Sequence, residues 1–243
     1  MNEYVFNYNQ YKKSINKNNN LSFILIVLII VFLLGFCIFL KPVSNKTETF
    51  FFVEIDNFQT YKQAQNLSQE LQNLGTYSLI YFDKSYHVFV SFYSKEKDAK
   101  SVQEKLKNSY HNCSVVGLEF LKNFNDKNLT KNQISSLKNL IHETKKLVLI
   151  LEDILNDFIT NKTSYNKTNT LIKTYAENFI EASNKFFENF KTDSKYNPTK
   201  THANSILNSI SSLSNLEENS FTTKARYEIM KIATALIKIT NCL

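Results

Sequence analysis

Residues 49–58 read TFFFVEIDNF, and residues 86–92 read YHVFVSF. Both runs are rich in aromatic and β-branched residues, a composition typical of β-strands. Ala64 and Leu71 follow the first run at a spacing that places them on one face of a helix, and an Ala and a Leu seven residues apart also follow the second run. The sequence therefore predicts the same strand and helix unit twice.

Turn and capping signals complete this pattern. The first strand is predicted to end in a turn at residues 56–58, and a capping box from Thr60 to Gln63 starts a helix that stops at Gly75. The remaining elements are a strand at 77–82 that forms a hairpin with 86–92, a helix after Ser94 that carries Ala99, Val102 and Leu106, and a strand at 113–118. The order β-α-β-β-α-β predicts an α+β, ferredoxin-like domain over residues 47–120, with both helices on one face of an antiparallel sheet.

A membrane segment precedes this domain. Residues 21–40 read LSFILIVLIIVFLLGFCIFL, without a charge, and at ~1.5 Å per residue a helix of this length spans a ~30 Å hydrocarbon layer. A cleaved signal peptide is the alternative, but its apolar run is about 7–15 residues long. Three lysines lie in residues 1–20 and two follow the segment. This weak bias predicts a cytoplasmic tail over residues 1–20 and a single-pass cell-membrane protein whose other domains are extracytoplasmic.

The second half of the chain has a helical pattern. Thr130 and Gln133 form another capping box, and apolar residues then recur every three or four positions. Asn197-Pro198 and Ser220 mark the starts of two later helices. Residues 128–243 are therefore predicted to form a bundle of four helices, which serves as a spacer or binds a protein partner.

Composition excludes several functions. Three glycines that lie far apart cannot form a phosphate-binding loop. The net charge of +7 is spread along the chain, and residues 47–120 carry 7 Lys and 9 acidic residues, so nucleic acid is not an expected partner. His142-Glu143 lacks a second histidine four residues after the first, and no Cys-x-x-Cys pair is present. We expect no enzymatic activity, no cofactor and no metal.

The two aromatic strands, each followed by a small turn residue, a Phe and a helix with Ala and Leu, resemble the SPOR (sporulation-related repeat) family. The chain departs from that family at Glu54, where Gln is usual, and at Asp56 and Ser91, where glycines are usual. The resemblance implies binding to peptidoglycan glycan strands, particularly strands without stem peptides, at septal or sporulation sites. It covers residues 47–120.

Strand alternation assigns a face to each side chain. Phe51, Val53, Ile55, Val88 and Val90 are expected to face the helices. The open face of the sheet then carries the candidate glycan-binding residues, which are Phe50, Phe52, Glu54, His87 and Phe89. Aromatic rings pack on the C–H faces of sugars, and Glu and His bond to hydroxyls. Two alternatives remain: the Phe residues pack on the C-terminal domain, and Glu54 and His87 form an ordinary cross-strand pair.

Two functions from different classes follow. The first is a membrane protein that binds wall glycan through its SPOR-like domain. The second is a membrane-anchored scaffold or protein-interaction component in which that domain has lost sugar binding and acts by sheet packing or edge pairing. The sequence departures at Glu54 and at the two turn positions favour the second.

Overall fold

The computed structural model describes residues 47–121 and 128–243, which belong to one compact unit. The predicted tail at 1–20 and membrane helix at 21–40 lie outside the described residues. Within the described ranges, no helix combines the length and the apolarity needed to cross a bilayer.

The first part of the unit is a four-stranded antiparallel sheet with the order β2-β3-β1-β4. Two helices separate the strands in the sequence, so the β-α-β-β-α-β order and the antiparallel sheet are as predicted. The elements are β1 (Thr47–Phe58), α1 (Tyr61–Asn73), β2 (Leu79–Asp83), β3 (Ser85–Tyr93), α2 (Glu96–Leu106) and β4 (Ser114–Leu121).

Strand β1 is longer than predicted. Asn57 pairs with His87 and Phe58 with Tyr86, so residues 56–58 continue the strand, and the predicted turn there is wrong. Two register shifts, at Val53/Glu54 and between Glu54 and Asp56, interrupt the ladder. Such bulges add residues and increase local twist, and the pairing of β1 with β3 continues past them to Phe58.

Both helices lie on one face of the sheet. Thr60 accepts the backbone N–H of Gln63 at the start of α1. At the end of α1, the N–H of Thr76 donates to Leu71 O at 2.9 Å and Gly75 has a φ of +80°, which only glycine adopts without strain. The core beneath the helices contains Val53, Ile55, Ala64, Leu71, Val88, Val90, Ala99 and Cys113.

The second part contains four long helices, which also agrees with the sequence. The predicted capping box is present, because the Thr130 hydroxyl accepts the N–H of Gln133 and the Gln133 side chain accepts the N–H of Thr130. Pro198 lies in the first turn of its helix, where no backbone N–H is needed. The helices are α3 (Lys131–Ile159), α4 (Tyr165–Asn189), α5 (Asn197–Ser214) and α6 (Phe221–Asn241).

Helix α6 joins the two parts. It packs against α3 and α5 on one side and against β2, β3 and β4 on the other. The second face of the sheet is therefore covered, and its aromatic residues belong to the same core as the four helices. The expectation that this face is open is corrected: apolar residues on two sides of α6 bury it between the sheet and the helices.

A second link between the parts uses a buried carboxylate. Glu152 on α3 is 9% exposed, and its two oxygens accept the backbone N–H of Ser94 at 3.1 and 3.2 Å. Ser94 immediately follows β3, so this contact holds the end of the strand against α3. Burial is the largest influence on Glu152 and raises the pKa of its carboxyl above the usual value, although the bonds from Ser94 lower it.

Replacing Glu152 by Gln should stabilise the protein at neutral pH. Because the folded-state pKa is raised, the folded protein favours the protonated form of Glu152. The contribution of Glu152 to stability is therefore greatest below the unfolded pKa of about 4.5 and is lost as the pH rises through the folded pKa. Urea denaturation between pH 4 and 8 measures the free energy of unfolding. This free energy should be higher for Glu152→Gln than for the wild type at neutral pH, and the difference should grow as the pH rises. Asp157→Asn, on the exposed side of the same helix, is the control. Equal pH profiles for wild type and Glu152→Gln would contradict this account.

Candidate functional site

The five candidate glycan-binding residues lie on one face of the sheet, as predicted. Phe50, Phe52 and Glu54 come from β1, and His87 and Phe89 from β3. Glu54 pairs directly with Phe89 across the strands. Phe52 and Glu54 are two residues apart and lie on the same side of β1, and Val53 and Ile55 lie on the other side. The structure therefore brings all five side chains to one face.

The aromatic rings form a continuous layer. The Phe52 and Phe89 rings stack with their centroids 4.9 Å apart, and the Phe89 ring also stacks on His87 at 5.7 Å and on Tyr81 at 5.9 Å. The ring centroids of Phe50 and Phe120 lie 4.5 Å apart. Offset rings at these distances attract one another in addition to burying area.

This aromatic layer does not face solvent. Phe52 and Phe89 are 0% exposed and Phe50 is 3% exposed, because α6 lies over them. The Lys238 ammonium of α6 lies 5.4 Å from the centre of the Tyr81 ring, and the Tyr227 ring lies 6.1 Å from Tyr77. The Phe residues thus pack on the C-terminal part, which was one of the two alternatives drawn from the sequence. The role of the five residues in glycan binding stays a prediction.

The polar residues of the set form an ordered pair at the edge of the layer. The His87 Nδ1–H donates to Glu54 Oε2 at 2.6 Å, and the Asn57 amide donates to Glu54 Oε1 at 2.9 Å. With its Nδ1 proton committed, a neutral His87 ring presents Nε2 as an acceptor to the Ser85 hydroxyl, 3.2 Å away. The side chain of His87 is 18% exposed and that of Glu54 is 3% exposed. His87 is therefore the more accessible member of this pair.

The sequence-based reasoning missed several residues of this face. Tyr81, Phe92 and Phe120 are buried in the same layer, as are the α6 residues that cover it. The signal was present in α6, where Met230, Ala233 and Ile237 form a second apolar stripe beside the predicted one at Ala225, Ile229, Ile232, Leu236 and Ile239. A helix with two apolar stripes needs two partners.

The described residues offer no evident metal centre, since no three His, Cys, Asp or Glu side chains in residues 47–121 and 128–243 lie close enough to share an ion. Cys113 is buried and Cys242 is exposed, and both are free thiols. Burial raises the pKa of the Cys113 thiol, which disfavours the reactive thiolate.

Comparison with known proteins gives a family for the sheet. Residues 47–117 match the SPOR domain family, which confirms the resemblance inferred from the sequence. The chain is also similar to the solution structure of the peptidoglycan binding domain of the B. subtilis cell wall lytic enzyme CwlC. The two are 23% identical, the match covers 32% of this chain and 98% of that chain, and the TM-score is 0.25. No curated protein matches the chain.

Replacing Phe52 by Ala should destabilise the protein by about 3–5 kcal/mol, because the ring is fully buried between the sheet and α6 and its removal leaves a cavity. The matched control is Phe82→Ala. Phe82 lies on β2 and is 58% exposed, so its removal should cost less than about 1 kcal/mol. Urea denaturation monitored by circular dichroism measures both values. Similar small effects of the two substitutions would show that α6 does not cover this face.

Proposed function

We propose that this protein binds the glycan strands of bacterial peptidoglycan through residues 47–121. The observation that carries the proposal is the match of residues 47–117 to the SPOR domain family. The described structure supports it, because all six elements of the two-repeat unit are present and correctly ordered. We propose no enzymatic activity, cofactor or nucleic-acid partner.

We further propose that residues 21–40 anchor the protein in the cell membrane, with residues 1–20 in the cytoplasm and the folded part outside, at septal or sporulation sites. Only residues 41–46 separate the apolar segment from β1, and at ~3.4 Å per extended residue they reach ~20 Å at most. Glycan would then be bound close to the membrane surface, and the helical part would be free to contact a protein partner.

The covered sheet constrains how glycan can bind. Four of the five candidate residues are buried, and His87 is the exception. A sugar stacked on Phe52 and Phe89 would require α6 to leave the sheet. Glycan bound at any other surface of residues 47–121 would leave α6 in place.

The second candidate function is a membrane-anchored scaffold without glycan binding. One observation favours it: α6 covers the sheet face that carries the candidate glycan-binding residues. In this alternative the sheet serves as a platform for the chain's own helices, and its binding partners are proteins.

Co-sedimentation with purified cell wall distinguishes the two functions. We expect the full-length chain to bind wall treated with an amidase, which removes the stem peptides, about tenfold more tightly than untreated wall, a difference of ~1.4 kcal/mol. Equal or undetectable binding to both walls would exclude the glycan proposal and favour the scaffold.

Limited trypsin digestion of the same samples tests whether α6 moves. Lys231 and Lys238 lie within α6, and both become cleavable only if that helix opens. Faster cleavage at these two lysines when glycan is bound would place the sugar on the sheet. Wall binding with unchanged cleavage would place it elsewhere on residues 47–121.

A further inference from the structure

A cavity of about 390 Å³ lies on the other side of the sheet, away from the covered aromatic layer. Its wall is mostly apolar and includes Ile55 of β1, Leu71 of α1 and Val102 of α2. The first turn of α6 closes one side. Cavities of roughly 300–1,000 Å³ with an apolar wall and a few polar groups are typical of small-molecule sites.

Arg226 of α6 lines this cavity. It is the only arginine among the 29 basic residues of the chain. No described carboxylate lies within ion-pair distance of it, and its one hydrogen bond is a long one of 3.5 Å to the Tyr93 hydroxyl. A half-buried guanidinium therefore has most of its donors free, and the planar arrangement of those donors fits a carboxylate.

A second, independent observation points to a ligand. Ser91 of β3 also lines the cavity and is 1% exposed, and its Oγ has no hydrogen-bond partner. A buried hydroxyl without a partner is costly unless something else bonds to it. Thr222 and Thr223, in the first turn of α6, lie on the same cavity. The positive end of the helix dipole and the backbone N–H groups of that turn add to the attraction for an anion.

We propose that this cavity binds a sugar residue that carries a free carboxylate, with Arg226 holding the carboxylate and Ser91 and the two threonines bonding to hydroxyl or amide groups. The apolar wall and the Tyr77 and Tyr110 rings, which also line the cavity, would pack on the C–H face of the sugar. None of the described residues that line the cavity is an Asp or a Glu, so no negative side chain there repels such a ligand.

This inference rests on the proposed function and names the part of the glycan that is recognised. In an intact wall the lactyl carboxyl of each N-acetylmuramic acid is held in an amide bond to its stem peptide. Removing the peptide by hydrolysis of that amide frees the carboxylate. A site that requires a carboxylate therefore selects strands without stem peptides, and it needs no movement of α6 away from the sheet.

The test measures binding of free sugars to the full-length chain by isothermal titration calorimetry. N-acetylmuramic acid should bind, and N-acetylglucosamine, which lacks the lactyl carboxylate, should bind at least about tenfold more weakly, as expected for loss of a charge-assisted contact. Octanoate, which carries a carboxylate on an alkyl chain, tests whether the site accepts any amphiphilic carboxylate. Equal binding of N-acetylglucosamine, or tighter binding of octanoate, would overturn the proposal.

Three variants locate the site. Arg226→Gln should weaken N-acetylmuramic acid binding about tenfold or more, whereas Lys224→Gln removes the same charge two residues away, outside the cavity, and should change it less than about twofold. Ser91→Ala should weaken binding several-fold without lowering the temperature of thermal unfolding, since Oγ has no bond to lose. Unchanged affinity in Arg226→Gln, with its unfolding temperature also unchanged, would overturn the proposal.

The same variants in the wall assay separate this inference from the proposed function. If the wild type binds amidase-treated wall but not N-acetylmuramic acid, the cavity proposal fails and glycan binding stands. If the wild type binds N-acetylmuramic acid but not the wall, the proposed function fails and the cavity stands as a site for a sugar acid.

Discussion

The burial of α6 between the sheet and the other helices is the contact on which the rest of this structure depends. Met230, Ile232 and Leu236 are 0% exposed, although they point in different directions around the helix. Without α6, the sheet would expose five phenylalanines, and α3 and α5 would lose their shared partner. The two parts therefore form one core and are expected to unfold together.

Most of the fold could be predicted from the sequence because the signals are local. The Thr60 and Thr130 caps and the stop at Gly75 depend on hydrogen bonds within a few residues, and the structure has all three. The turn predicted at residues 56–58 fails because pairing with β3 continues to Phe58. Asp and Asn prefer turns, but the ladder bonds to a neighbouring strand outweigh that preference. This pairing joins residues that are far apart in the sequence, so the residue pattern of one strand does not predict it.

In the candidate site, too, the local features could be predicted from the sequence and the non-local ones could not. Strand alternation correctly places Phe50, Phe52, Glu54, His87 and Phe89 on one face and predicts that Glu54 and His87 are neighbours. Whether that face is open depends on a helix more than a hundred residues later in the sequence. The second apolar stripe of α6 contained this information, but a stripe does not identify its partner. Arg226 was missed for another reason: a single arginine has no periodicity, and only the fold brings it to the cavity beside Ser91.

The free-energy cost of making each face of the sheet accessible decides where a sugar can bind most easily. Burial of a Phe side chain is worth roughly 1.5–3 kcal/mol, so uncovering Phe50, Phe52, Phe89, Phe92 and Phe120 could cost up to about 8–15 kcal/mol. Stacking of a nucleic-acid base on an aromatic side chain is worth only about 1–3 kcal/mol, and a sugar that stacked equally well on Phe52 and Phe89 would recover less than this cost. The cavity beside Arg226 requires no such loss, since the space already exists and Arg226 and Ser91 are among the residues that line it. Helix α6, which covers one face of the sheet, thus also supplies Arg226, the charged group of the cavity on the other face.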